Sequence, residues 1–139
     1  MKIYFEKRLY DEGRAIREEI FLDEQKFSTE FDEIDDTCWH LLITEDDGKG
    51  IAVARMFEGE KEGEFILGRI AVRMEYRKQH YGNKVMEVLE GKVKELGGKL
   101  ISLDAQCQAQ VFYEKLGYTA FGDIHYDEHC PHISMYKEI

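Results

Sequence analysis

Between Arg73 and Lys84 the chain reads RMEYRKQHYGNK, a bend of cationic and small polar residues ahead of an apolar-periodic stretch. If that stretch is a helix, its first turn offers unbonded N–H groups and the positive end of a helix dipole, which suits a phosphate. Residues 68–84 hold Arg69, Arg73, Arg77, Lys78 and Lys84 against Glu75, a local +4 on a chain of net charge −10. A basic island on an acidic protein fits a discrete anion better than a nucleic-acid polymer. The same residues also fit a solvated helix start with ordinary surface cations. His125, Asp127, Glu128, His129, Cys130 and His132 form a second group, with zinc- or nickel-type ligand chemistry. Its spacing matches no standard site, and Pro131 before a strand scatters the side chains, so no metal is expected.

The elements that must hold the bend lie on either side of it. Phe65 to Val72 reads as a buried strand, within a strand span of Glu64–Arg73. Val85, Leu89, Val93 and Leu96 repeat at the helical period, and Gly97-Gly98 follow where a left-handed cap belongs. Lys99–Leu103 is a further strand, so strand, helix and strand form a crossover that favours parallel pairing. Upstream, Lys2–Phe5 reads as a strand and Leu9–Glu24 as a helix with Ala15, Ile16 and Ile20 inward. Gln25–Asp36 is acidic, either a solvated loop or short helix or a draw for a cationic substrate. Cys38–Thr44, Gly50–Phe57 and Glu64–Arg73, joined by polar turns including Asp47-Gly48, form an antiparallel meander. Gln106–Leu116 is a second helix with Ala109, Phe112 and Leu116 inward and Gly117 as its cap. Tyr118–Phe121 and His132–Tyr136 are the last strands.

A chain of 139 residues, with no linker or repeat, fits one domain spanning 1–139. A 43% hydrophobic fraction argues against disorder. No apolar run reaches membrane length and the first residues have no signal-like stretch. Three widely spaced cysteines, Cys38, Cys107 and Cys130, fit a reducing cytoplasm.

The order of elements, the R-x-x-x-x-G bend from Arg77 to Gly82 and the run Phe112–Tyr118 (FYEKLGY) resemble the GNAT N-acetyltransferases over essentially the whole chain. The resemblance is to the small ElaA-like bacterial branch. Its marks are Arg17 with Phe21 and Glu24-Gln25, Asp35-Asp36 before His40, Ala54-Arg55, Gly68-Arg69, Ala105-Gln106, Phe112-Tyr113, and Pro131-His132-Ile133 with Met135. One departure stands out: His80 occupies a position where the family's bend carries its first glycine, while Gly82 keeps the second.

The resemblance implies an α/β (α+β) fold: a mixed, mostly antiparallel sheet with a splayed central parallel pair and helices on both faces. It implies acetyl-CoA as co-substrate and direct attack by a primary amine in a ternary complex. The pantetheine arm would pair with Ile70, Ala71 and Val72, and the pyrophosphate would rest across Arg77, Lys78, Gln79, His80, Tyr81, Gly82 and Asn83. Tyr113 would be the acid that protonates the departing thiolate. Arg17, His40 and His132 would shape the acceptor pocket. His40, His132, Glu24, Asp127, Glu128 or water would take the ammonium proton. The acceptor is a small-molecule or protein amine, with no nucleic acid or membrane partner, and a homodimer is open to this fold. The alternative is a CoA-binding regulatory module on the same fold with little turnover.

Overall fold

Period-two alternation sorts the strand residues onto two faces of one sheet. A computed structural model describes residues 1–139. Its strands are β1 (Lys2–Glu6), β2 (Trp39–Thr44), β3 (Gly50–Glu58), β4 (Glu64–Val72), β5 (Leu100–Gln106), β6 (Thr119–Asp127) and β7 (Cys130–Glu138). They are ordered β1-β2-β3-β4-β5-β7-β6, and only β4 and β5 run parallel. Leu41, Ile43, Ala54, Met56, Leu67, Ile101, Leu103 and Met135 pack under helices α2 (Tyr81–Glu95) and α3 (Gln110–Lys115). On the other face Leu42, Val53 and Ala71 meet Ile16 of α1 (Asp11–Arg17) and Ile20 and Phe21 beyond it. Each large apolar side chain fully buried this way contributes about 1.5–3 kcal/mol. No helix is long and apolar enough to cross a membrane.

The parallel pair is short. Pairing between β4 and β5 runs from Glu64/Leu100 to Leu67/Leu103 and stops. Beyond it β5 stays with β7 as far as Gln106, while β4 stays with β3 as far as Val72. A bulge drives them apart: Gly68 lies opposite Arg55 and Ala71 opposite Val53, so Arg69 and Ile70 share one partner position. Arg69 takes φ +52°, and the extra residue bends β4 away from β5.

Several boundaries differ from the sequence expectation. The first helix is α-helical only to Arg17; Glu18–Glu24 widens into π-helical turns, with Gln25 N–H donating to Ile20 O at 2.8 Å. The second helix starts later, after β5 runs through Gln106 and a 3-10 turn covers Cys107–Ala109. The last two strands are longer and form a hairpin, because Glu128 takes the left-handed conformation that turns the chain. Pro131 lies inside β7, opposite Tyr126 and just past the reach of β5, where no ladder N–H is needed on that side. Leu96 is 49% exposed rather than inward. Both predicted glycine caps form. Gly97 and Gly117 are left-handed, and Gly98 and Tyr118 donate back to Val93 O and Tyr113 O.

Candidate active site

The splay opens a cavity of about 390 Å³ walled by β4 (Leu67–Ile70), β5 (Leu103, Asp104, Gln106), α3 (Tyr113), the β6–β7 hairpin (His125, Asp127, His132) and the segment from Phe21 to Glu30. Two contacts brace its rim. Glu128 at the hairpin tip accepts from the Ser28 N–H at 2.8 Å, and Gln106 Nε2 donates to Gln25 Oε1 at 2.8 Å.

The bend lies beyond one end of this opening. None of the backbone N–H groups from Lys78 to Asn83 donates within the protein, whereas the Arg77 N–H is taken by Met74 O at 3.2 Å. Lys78 and His80 sit at φ +64° and +65°, so His80 adopts the glycine-like conformation despite its side chain. His80 caps α2 without a side-chain bond to it. Gly82 is needed for a different reason: a Cβ there would lie 3.2 Å from the Phe112 ring, so its absence lets α2 start against α3. The Arg77 guanidinium is already engaged. Its two terminal nitrogens clasp Glu24 at 2.7 and 2.8 Å, and its Nε donates to Val72 O at 2.8 Å. Since Arg73 N–H bonds to Ile51 O, strand alternation turns Ala71 toward β3 and turns Ile70 and Val72 toward the opening.

Tyr113 is 7% exposed, lines the cavity and has no hydrogen-bond partner for its hydroxyl. Its ring packs edge-on against Phe112 and Tyr118 at 5.1 and 5.9 Å, and burial pushes its phenol up to about 12. The phenol is therefore a proton donor at neutral pH. The bond from Tyr118 N–H to Tyr113 O pins the helix turn that carries it.

His132 is 9% exposed and also lines the cavity, from the opposite face of the sheet. Arg17 and His40 do not line it. Arg17 is 1% exposed, and its guanidinium is spent on Glu30 at 2.8 Å and Asp35 at 2.8 and 3.0 Å. His40 Nε2 donates to Asp35 O at 2.9 Å, and burial holds its ring below the ordinary histidine value. Both stand behind the wall and hold the acidic segment in place.

That segment forms the short helix the sequence allowed at Glu33–Asp36, and although Glu30 lines the cavity, its charge is met inside the protein. Glu30, Asp32 and Asp35 are matched by Arg17, Arg55 and Arg69, with contacts of 2.7–3.5 Å. Burial raises the Asp35 carboxyl, but the bonds from Arg17, the Asp32 N–H and Arg55 outweigh it and leave it far below its ordinary range. Arg55 lines the cavity, and its Nε is the one buried side-chain polar atom without a partner. The sequence signal for this lattice was an arginine inside an apolar strand, IAVARMF, since a buried guanidinium requires carboxylates.

The group at 125–132 does not gather its ligand atoms at one point. Asp35, Cys38 and His40 do come within 4.8 Å of one another, but arginines occupy the Asp35 oxygens and His40 Nε2 serves the Asp35 carbonyl.

The family described as acetyltransferase (GNAT) domain matches residues 10–139. A UPF0039 protein of Schizosaccharomyces pombe is 35% identical over 136 residues, covering 96% of this chain and 89% of the relative. YjcF of Bacillus subtilis, named an uncharacterized N-acetyltransferase, is 32% identical over 88% of each chain. Escherichia coli ElaA superposes with a TM-score of 0.85 at 24% identity, covering 99% of this chain and all of that one. An acyl-CoA N-acyltransferase of Pseudomonas aeruginosa gives 0.85 at 24%, covering 99% of both. Sequence likeness to these relatives runs along nearly the whole length, and the chain belongs to the GNAT family of acyl-CoA-dependent N-acetyltransferases.

Proposed function

We infer that the protein transfers an acetyl group from acetyl-CoA to a primary amine by direct attack, both substrates being bound together. The observation that carries this reading is the run of unbonded N–H groups from Lys78 to Asn83 at the start of α2, beside strands that part after Leu67 and Leu103. The residues present fit CoA. The pyrophosphate would take the amides of Lys78, Gln79, His80, Tyr81, Gly82 and Asn83, helped by the α2 dipole. The pantetheine amides would pair with Ile70 and Val72, while Ala71 serves the ladder to β3. Arg77 supports this from behind by tying Glu24 to the end of β4. CoA supplies an activated acyl group on sulfur, and the protein supplies orientation and proton handling. Val72 N–H faces the opening, where it can polarise the acyl carbonyl, and the Tyr113 hydroxyl protonates the sulfur that leaves.

Calorimetric titration with acetyl-CoA, followed by free-thiol release with spermidine, tobramycin, glucosamine and a lysine peptide, tests the proposal. Saturable binding with amine-dependent thiol release supports it. Binding without release for every amine transfers the protein to the regulatory-module reading, and no binding ends both.

A further inference from the structure

Two histidines line the cleft, His125 and His132; the Nδ1 of each faces a backbone carbonyl, His125 at 3.4 Å from Asp123 O, but only His132 is buried. The His132 Nδ1 lies 3.0 Å from Cys130 O. A carbonyl only accepts, so Nδ1 carries the hydrogen and Nε2 presents a bare lone pair. That nitrogen has no partner in the protein, on a side chain 9% exposed that lines the cavity. The sheet register fixes where it stands. His132 pairs with Gln106 of β5 and with His125 of β6, so the three share the face that carries α1. Tyr113 reaches the same cavity from α3, on the other face. An acyl group held in the splay therefore has a proton donor on one side and a proton acceptor on the other.

Resting on the acetyltransferase reading, we propose that His132 Nε2 is the general base that takes the proton from the acceptor ammonium. The ammonium gives one proton to Nε2, and the imidazolium later releases it to water. The freed nitrogen lone pair forms the C–N bond as the C–S bond breaks. The sulfur pair takes the Tyr113 proton, which is replaced by the second proton lost from the new amide nitrogen. The sum is one amide, one thiol and one proton. The groups around His132 suit the task. His125 stacks on it at 6.1 Å and 26°, with Nε2 3.7 Å from Asp104. Asp127 of β6 and Asp104 and Gln106 of β5 also line the cavity, as does Glu30, whose charge is met by Arg17 and Arg69. The arginines there, Arg55 and Arg69, have their charges met by Asp32, Asp35 and Glu30. The unpaired charge near Nε2 is thus anionic, which draws an incoming ammonium toward it.

The test is the His132→Asn variant, whose amide keeps a donor for Cys130 O while Nε2 is lost. With whichever of the four amine probes above turns over, kcat should fall about 10²–10⁴-fold, as expected for loss of a general base. Acetyl-CoA binding should be unchanged. The wild-type rate should level off with rising pH, whereas the variant's should follow the free fraction of the amine probe, about tenfold per pH unit below that amine's own pKa, which for a lysine is near 10.4. A structural role would lower the rate at every pH without changing the profile. An unchanged profile overturns the assignment while leaving the acetyltransferase reading intact; wild-type protein inert toward every amine removes both. Should the variant not fold, nitrogen NMR of the wild-type CoA complex decides. Hydrogen on Nδ1 with an unprotonated, titrating Nε2 supports the base, and hydrogen on Nε2 overturns it.

Discussion

Arg55 shows how much a single buried charge demands of its surroundings. It occupies an apolar strand, and Asp32 and Asp35 hold its guanidinium while Arg17 shares Asp35. Removing one partner of such a buried group leaves the other uncompensated. Asp35→Asn should therefore cost about 3–5 kcal/mol in denaturant unfolding at pH 7. The pH dependence follows from linkage. Folding depresses the Asp35 carboxyl below its ordinary 3.8, so its contribution is complete above that value and is lost as pH falls toward the folded one. Burial, against Arg69 and Arg17, raises Glu30 above its ordinary 4.5, which gives the opposite slope. Asp35→Asn should flatten the loss of stability below about pH 3.8, and Glu30→Gln should remove the loss that sets in as pH rises above 4.5, as measured by unfolding from about pH 7 to 2.5. At Tyr113 the expectation concerns rate. Tyr113→Phe should leave acetyl-CoA affinity near wild type and slow turnover about 10²–10⁴-fold. A variant that unfolds with unchanged specific activity would return Tyr113 to the core.

Among the elements, the bend before α2 combines strain with support. His80 and Lys78 hold left-handed conformations that cost L-residues about 1–2 kcal/mol. His80→Gly should relieve that and stabilise the fold by about 1 kcal/mol or less, after the entropy glycine regains when unfolded. Arg77 acts through Glu24, so Arg77→Ala and Glu24→Gln should weaken acetyl-CoA binding to a similar extent, and the double variant no further. A phosphate-binding guanidinium would instead make Arg77→Ala much the worse of the two. This level was largely legible in the sequence. Helical period, paired glycines and the Arg77–Gly82 spacing located β4, α2 and the bend. The partners were not legible, because Glu24 and Arg77 lie 53 positions apart and meet in the fold where Glu24 ends the π-helical turns after Arg17. The hairpin at 119–138 was cut short for a local reason: a proline and a run of polar residues read as loop, although β6 is an outer strand that tolerates polar residues and Pro131 lies on β7 past the reach of β5.

For the whole molecule, the fold follows from where pairing stops. The meander, the crossover helix and the late return of β7 beside β5 put the parted strands at mid-sheet, between helices on both faces. The mixed sheet with a splayed central parallel pair and a pocket was expected from the resemblance; the closed rim of the cavity was not, since it depends on loop 25–30 meeting the far hairpin through Glu128 and Ser28. Saturation with acetyl-CoA at 100 times Kd should raise stability by about 2.7 kcal/mol, seen as a concentration-dependent rise in melting temperature. The bulge at Arg69 and Ile70 has a further result. It creates an edge inside the sheet, where alternate peptide groups of one strand meet solvent as those of an outermost strand do. Deuterium should therefore enter the amides of Ile70 and Val72 quickly in the free protein and slowly once CoA is bound, while Ala71 between them stays protected in both.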